Sequence, residues 1–347
     1  TTFPVVYIIV DDASTDGNQE VIKHFFEKEF DTTSTEAYEK DTDYAHISYA
    51  RHRTNTNCNF VILYLRENHY SQHKPKLYLK EWQENSKYTA ICEGDDYWID
   101  DSKLQKQIDF LEQNEDYVLV HHDVFIFNEE LGKIKGKKGV LYSETNKRDY
   151  TTPQHRFRAI IDQKIAIQTL SIVYKNSAKQ MIPENEIKFM MGDTNLYLDL
   201  SQLGKIKYID IPMGVYRQHN GSATRNKFTL KRFTLSMYEM RIYYHNKYNY
   251  EIPRKLKYKY NKAYVDYIVT IEDTGDKLLS NPIYYAPFSL SRFGDWYINK
   301  ILEKGRIYTV RKKIQIIVDA QIKIEGKMQV LKKISQNVFR KFCSLSN

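Results

Sequence analysis

Val5 to Val10 form an unbroken β-branched and aromatic run closed by Asp11 and Asp12, a pattern that predicts a strand covered on both faces of a parallel sheet. A helix start follows: Ser14, Thr15 and Asp16 are good N-caps, Gln19 completes a capping box, and Val21, Ile22, Phe25 and Phe26 form one apolar stripe. Residues 31–57 are polar and read as a long loop or surface insertion. The pattern then gives a strand at Phe60 to Leu65, a helix around Lys76 to Asn85, and a strand at Tyr88 to Cys92 that runs into Glu93, Gly94, Asp95 and Asp96. After Asp100-Asp101-Ser102 a helix with acidic caps is expected, with Leu104, Ile108 and Leu111 at helical spacing. Strand, acid cluster and helix thus occur twice, which predicts an α/β fold.

Further strands are expected at Tyr117 to Phe127, at Ile165 to Tyr174, and at Ile206 to Ile211 with Gly214 to Tyr216. The charged stretch from Asn128 to Asp149 reads as a hairpin or flexible loop. Gly192-Asp193 opens a short helix with Leu196, Leu200 and Leu203 on one side and Gly204 as its C-cap. From about Phe228 onward Tyr, Lys and Arg abound at helical spacing, which places a boundary near 226 between a domain over 1–226 and a helical region over 227–347.

Composition changes this picture in one respect. With 347 residues, 41% hydrophobic and 28% charged, the chain is neither disordered nor collagen-like and can bury a substantial core. Its formal charge of +8 is not spread evenly, because Ile301 to Asn347 carry eleven basic and three acidic residues and so hold the entire excess. No uncharged apolar run approaches the ~18 residues that a membrane-spanning helix needs. Three cysteines without CxxC spacing support neither a disulfide framework nor a zinc knuckle, and a reducing cytoplasm is the default.

The acids are the candidate chemistry. Asp11 and Asp12 close a strand and suit ribose hydroxyls or base N–H groups, or else serve as turn and cap. Glu93, Asp95 and Asp96 repel one another unless a cation such as Mg²⁺ or Mn²⁺ sits among them; the alternative is a solvated turn. Asp193 is a helix cap, a general base, or both. His219 is a ligand or a packing residue, and Arg217 an anion partner.

Taken together, the stretches Asp11 to Gly17, Cys92 to Trp98 (CEGDDYW), Gly192-Asp193 and Tyr216 to Ser222 resemble, in order and spacing, the family 2 glycosyltransferases. The likeness is to bacterial members with an EGDDYW form of the DXD motif, and it covers about residues 3–226. It implies a GT-A (Rossmann-like) fold, a nucleotide-sugar donor (a UDP-sugar is the expectation), a divalent metal (Mn²⁺ or Mg²⁺), inversion at the anomeric carbon, and a place in surface polysaccharide synthesis. Carried over by motif, Asp12 with Asp11 and Ser14 binds the nucleoside, and Glu93 holds the place of the first DXD acid. Asp95, with Asp96 beside it, and the late histidine His219 form the metal and diphosphate site, and Asp193 deprotonates the acceptor. Asn68 stands in the region of a nucleotide contact, while Trp98 and Arg217 are substrate contacts. The strand ending in Pro-x-Tyr/Phe-Asn and the first helix with which the family usually begins are missing from this sequence, so a sheet neighbour for Val5 to Val10 and part of the nucleotide pocket are expected to be absent.

The basic stretch Arg311 to Phe342 carries apolar residues at helical spacing, which suits an anionic membrane surface where a lipid-linked acceptor would lie; the competing expectation is a helix packed on the catalytic domain. The expected location is therefore cytoplasmic, peripheral at the inner face of the membrane. Nucleic acid is not an expected partner, since no stacking-platform motif appears. A second functional reading is a catalytically inactive module of the same fold that binds a sugar nucleotide or a partner.

Overall fold

The computed structural model describes residues 1–70, 72, 74, 76–134, 150–183, 189–219, 227–260 and 262–263. The basic amphipathic stretch, most of the region after 247 and the Gly-Ser segment after His219 lie outside the described residues. What is described is a mixed α/β structure built on two sheets.

In the first sheet β1 (Val5–Asp11) pairs in parallel with β5 (Cys58–Leu65). Beyond β5 lies β4 (Ala45–His52), antiparallel to it and itself flanked by β2 (Phe30–Asp31) and β3 (Tyr38–Asp41). The expected insertion over 31–57 is therefore largely sheet. The inward positions of β4 are filled by Ala45, Ser48 and Ala50 as well as Ile47, so the strand carries little apolar signal. Helix α1 (Asn18–Glu29) covers one face, with Phe26 packed on Phe30, Ala50 and Ile62. The expected capping box does not form. Gly17, at φ 89°, precedes the helix without a side-chain cap, and Gln19 reaches Asp11 instead. Val21 and Phe25 of the predicted stripe remain exposed. On the other face Tyr78, Leu79 and Trp82, from a 3-10 turn and the short α2 (Lys80–Glu84), pack on β4 and β5.

The second sheet runs β6 (Tyr88–Ala90), β10 (Val173–Lys175), β8 (Tyr117–Asn128), β11 (Lys205–Gln218), β7 (Tyr97–Trp98), with β9 (Lys133–Ile134) hairpinned onto the end of β8. Strands β8 and β11 are parallel. Leu104 and Leu111 of α3 (Lys103–Gln113) pack with Val120 and Val173, and Phe3, Val5 and Tyr7 join them from the first sheet. Apolar packing, not main-chain pairing, therefore links β1 to the second sheet among the described residues. The opposite face is covered by α4 (Pro153–Ile161), α5 (Asn176–Gln180), α6 (Gly192–Leu203) and α7 (Lys227–Lys247), whose Phe157, Ile160, Ala178, Leu198 and Tyr244 share one core cluster. Buried Asp199 anchors α7, accepting hydrogen bonds from Tyr244 Oη (3.0 Å), Lys247 Nζ (2.6 Å) and Tyr248 Oη.

Three further expectations change. Of the strand expected over Ile165 to Tyr174 only β10 forms, because the Leu170 and Ser171 carbonyls are taken by side chains and 169–171 is a 3-10 turn. Gly204 is the C-cap as expected, its N–H donating to Leu200 O, but it is extended (φ −170°) rather than left-handed, and a Cβ there would stand 2.4 Å from Val118 Cγ1. The acids before α3 do not cap it: Asp100 turns back onto Ser102 and Lys106, whose ammonium, as the largest cause, pulls its carboxyl down to about 2.

Candidate functional site

The two acid clusters follow β1 and β6, as their positions at strand ends require, but they differ in what surrounds them. Asp11 is buried, and its Oδ2 accepts from the Ser14 amide (3.2 Å) and Gln19 Nε2 (2.5 Å). Asp12 accepts from the His69 amide on Oδ1 (2.7 Å) and the Tyr70 amide on Oδ2 (2.9 Å), while Asn68 Nδ2 donates to its carbonyl (3.0 Å). The ends of β1 and β5 are thus tied by one carboxylate, and Ala13 takes the left-handed turn between Asp12 and Ser14 (φ 58°). Asp11, Asp12, Ser14 and Asn68 are brought together, and most of their polar capacity holds their own loops.

Glu93, Asp95 and Asp96 lie between β6 and β7 with fewer donors. Asp95 Oδ2 meets His219 Nε2 at 3.1 Å, across 124 positions of sequence. Asp96 Oδ1 accepts the Arg217 amide at 2.8 Å. Burial, with Asp95 and Glu93 adding, pushes the Asp96 carboxyl up to about 7 even though that amide opposes the shift. Glu93 keeps solvent exposure, yet crowding by surrounding protein raises its pKa, and the charges of Asp193 and Asp95 raise it further. The hydroxyl of Thr169 offsets part of this. Asp193 is exposed in the first turn of α6 and accepts the Thr194 amide at 2.7 Å. Its charge adds to the upward shift of Glu93, while the hydrogen bonds of its side chain go to Thr194. The same surroundings push the Cys92 thiol up to about 11.

Strand β11 delivers Arg217 and His219 to this cluster because β7 lies against it, with Gly214 opposite Trp98. A Cβ at Gly214 would come within 2.7 Å of Leu170 Cδ1 and 3.3 Å of the Tyr97 carbonyl oxygen, so any larger residue would have to displace the buried Leu170 side chain. The Arg217 guanidinium pairs with Glu129 at 2.8 Å. The Trp98 indole N–H donates to Leu170 O at 2.8 Å, and Lys103 Nζ stands 4.1 Å from its ring centroid.

Sequence reasoning did not single out Lys103, Gln107, Thr169 or Tyr197. Thr169 touches Glu93 and accepts from Tyr197 Oη at 3.5 Å, which ties the cluster to α6. Gln107 is fully buried and donates to the Val120 and Ser171 carbonyls (3.1 and 2.8 Å) while accepting from Lys103 (2.9 Å). A signal existed for Gln107, which falls inside the apolar stripe of Leu104, Ile108 and Leu111.

The donor set fits one hard divalent cation. Asp95 supplies a carboxylate and His219 an imidazole nitrogen, and ions such as Mg²⁺ and Mn²⁺ complete a two-residue site with water and phosphate oxygens. Among the described residues no group of three or more His, Cys, Asp or Glu forms a ready-made cage, so those two would have to suffice.

No family model matches the sequence. Over 147 residues the chain is 30% identical to uncharacterized proteins of Mycobacterium bovis and Mycobacterium tuberculosis, a match that covers 42% of this chain. It spans only 38% of the length of these relatives. Among solved structures, a mannosyltransferase from Pyrobaculum calidifontis in complex with GDP-Man and Mn²⁺ superposes with a TM-score of 0.43 at 10% identity, over 96% of this chain and 78% of that one. Likeness at this level leaves the functional assignment to the site's own geometry.

Proposed function

We propose that this protein is an inverting glycosyltransferase that moves a sugar from a nucleoside-diphosphate sugar, a UDP-sugar in the first instance, to a hydroxyl of a glycan or lipid-linked acceptor in surface polysaccharide synthesis. The observation that carries this reading is the meeting of Asp95 with His219 beside Glu93 and Asp96. In this reading Asp193 takes the acceptor's proton as that oxygen attacks the anomeric carbon from the side opposite the diphosphate. The bond to the diphosphate breaks and its electron pair leaves with the nucleotide. The leaving group departs as an anion and needs no proton, so one carboxylate base suffices, unlike the acid and base pair of a glycoside hydrolase. A divalent cation held by Asp95 and His219, with Asp96 adjacent, would supply countercharge to the diphosphate. Burial, with a smaller contribution from the neighbouring acids, raises the carboxyls of Glu93 and Asp96, and a bound cation would offset that cost of ionising them. Asp12, Asp11, Ser14 and Asn68 form the proposed nucleoside end, and Trp98 and Arg217 the sugar and acceptor contacts. The basic stretch after 311 is the proposed contact with the inner face of the membrane.

The test is nucleotide release from a panel of nucleoside-diphosphate sugars with Mn²⁺ or with EDTA. Metal-dependent release that Asp95→Ala and Asp193→Ala abolish, with unchanged circular dichroism, supports the proposal. Absence of release from every donor in the presence of metal overturns it. One observation favours the reading as an inactive sugar-nucleotide or partner-binding module, namely that both oxygens of Asp12 are already engaged by main-chain amides. Donor binding by calorimetry without nucleotide release would establish it.

A further inference from the structure

Lys103 is 1% exposed and begins α3, where the helix dipole disfavours a cation. Burial lowers its pKa to about 7. Removing an ammonium from water is costly, and an aliphatic side chain of the same length would fill this place with no such cost. What the ammonium touches gives the reason for its presence. It faces the Trp98 ring at 4.1 Å and donates to Gln107 Oε1 at 2.9 Å. Trp98 holds the Leu170 carbonyl, and Gln107 holds those of Ser171 and Val120. Both of its partners therefore grip the turn 169–171, and that turn presents Thr169 to Glu93. Trp98 is also the β7 residue paired with Gly214 on the strand that delivers Arg217 and His219.

We infer that Lys103 is a positioning residue: its buried ammonium clamps Trp98 and Gln107 around the 169–171 turn and so sets the placement of the acid cluster from beneath. Its effect on turnover rests on the transfer reading above, whereas its effect on Trp98 does not. Cation and indole attract one another more strongly in a desolvated site, so the indole is held by its face as well as by its N–H.

The experiment uses the full chain with Trp82→Phe and Trp296→Phe, which leaves Trp98 as the sole tryptophan. Lys103→Met removes a buried charge but also strips buried Gln107 Oε1 of its donor, so its melting is measured beside every other readout and comparisons are made where both chains are fully folded. Its Trp98 should become roughly twofold more accessible to acrylamide quenching once the clamp on its face is lost. In the transfer assay kcat should fall by about 10-fold or more, and by a larger factor than the donor KM rises, the signature of a cluster displaced but still binding. Lys103→Arg, which keeps the cation over the ring, should restore the parental quenching. Trp98 quenching unchanged in Lys103→Met overturns the inference, as does a loss of kcat that merely tracks a lost folded fraction. If Lys103→Met does not fold, Gln107→Leu, which frees the ammonium on one side, decides by the same quenching measurement. If the parent transfers no sugar, the transfer reading falls and the quenching result alone judges the clamp.

Discussion

The acids after β1 and the acids after β6 occupy equivalent places at strand ends, yet they are treated in opposite ways. Asp11 and Asp12 together receive four internal hydrogen bonds, from Ser14, Gln19, His69 and Tyr70. Asp95 and Asp96 receive one each, from His219 and from the Arg217 amide, and Asp96 is driven up to about 7 by burial and by its acidic neighbours. Carboxylates satisfied from within hold loops together. Carboxylates left short of donors and crowded together are kept at a cost to the fold, which is the expected condition of a site that awaits a cation or ligand.

The difference can be broken most sharply by removing one acid of each kind. Asp193→Ala should lower transfer by about 10²–10⁴-fold, the range for a lost general base, and Asp95→Ala by about 10²–10³-fold, with melting unchanged for both. Gly214→Val should damage the second cluster through its scaffold, because even a Cβ collides with Leu170 there. Loss of cooperative melting or of metal affinity would show it, and wild-type values for both would refute the close approach. Asp12→Ala should instead cost stability, about 2–3 kcal/mol by denaturant unfolding, as the His69 and Tyr70 amides lose a charged acceptor. If Asp12→Ala proves neutral in stability, the contrast drawn here fails.

The last expected effect, discounted because solvent still reaches half-buried Asp96, is a pH dependence. Because the folded-state pKa of Asp96 lies above its unfolded value, the native chain holds this proton where the unfolded chain has released it. Its contribution to stability is present below about pH 4, declines as pH rises through the window up to about 7, and is gone above it. Asp96→Asn should flatten that decline, measured as the difference in unfolding midpoint between pH 5 and pH 8.

Legibility in the sequence followed the same division. The apolar runs of β5 and β8 and the stripe of α3 are visible because burial there is carried by large side chains, whereas the apolar residues of β1 are only half-buried with Val6 exposed, and of the α6 stripe Leu200 is buried while Leu203 is exposed. Strand β4 was hidden behind Ala and Ser, and α4 was overlooked although Thr152 caps it and Pro153 opens it. The acid clusters stood out as dense like charge at strand ends. Their contact with His219 and Arg217 depends on pairing between β7 and β11, which no local pattern encodes. Lys103 looked like an ordinary polar helix residue because only the tertiary structure places Trp98 over it.

The contacts of Asp95 and Asp96 with β11 bridge 124 and 121 positions of the chain. Long loops of this kind close late in folding, after their entropy has been offset by other contacts. A growing or partly unfolded chain therefore carries its acid cluster without the histidine and amide that complete it. If the proposed cation site is real, metal capture should coincide with the docking of β11 between β8 and β7, and Mn²⁺ affinity would then be a gauge of finished folding.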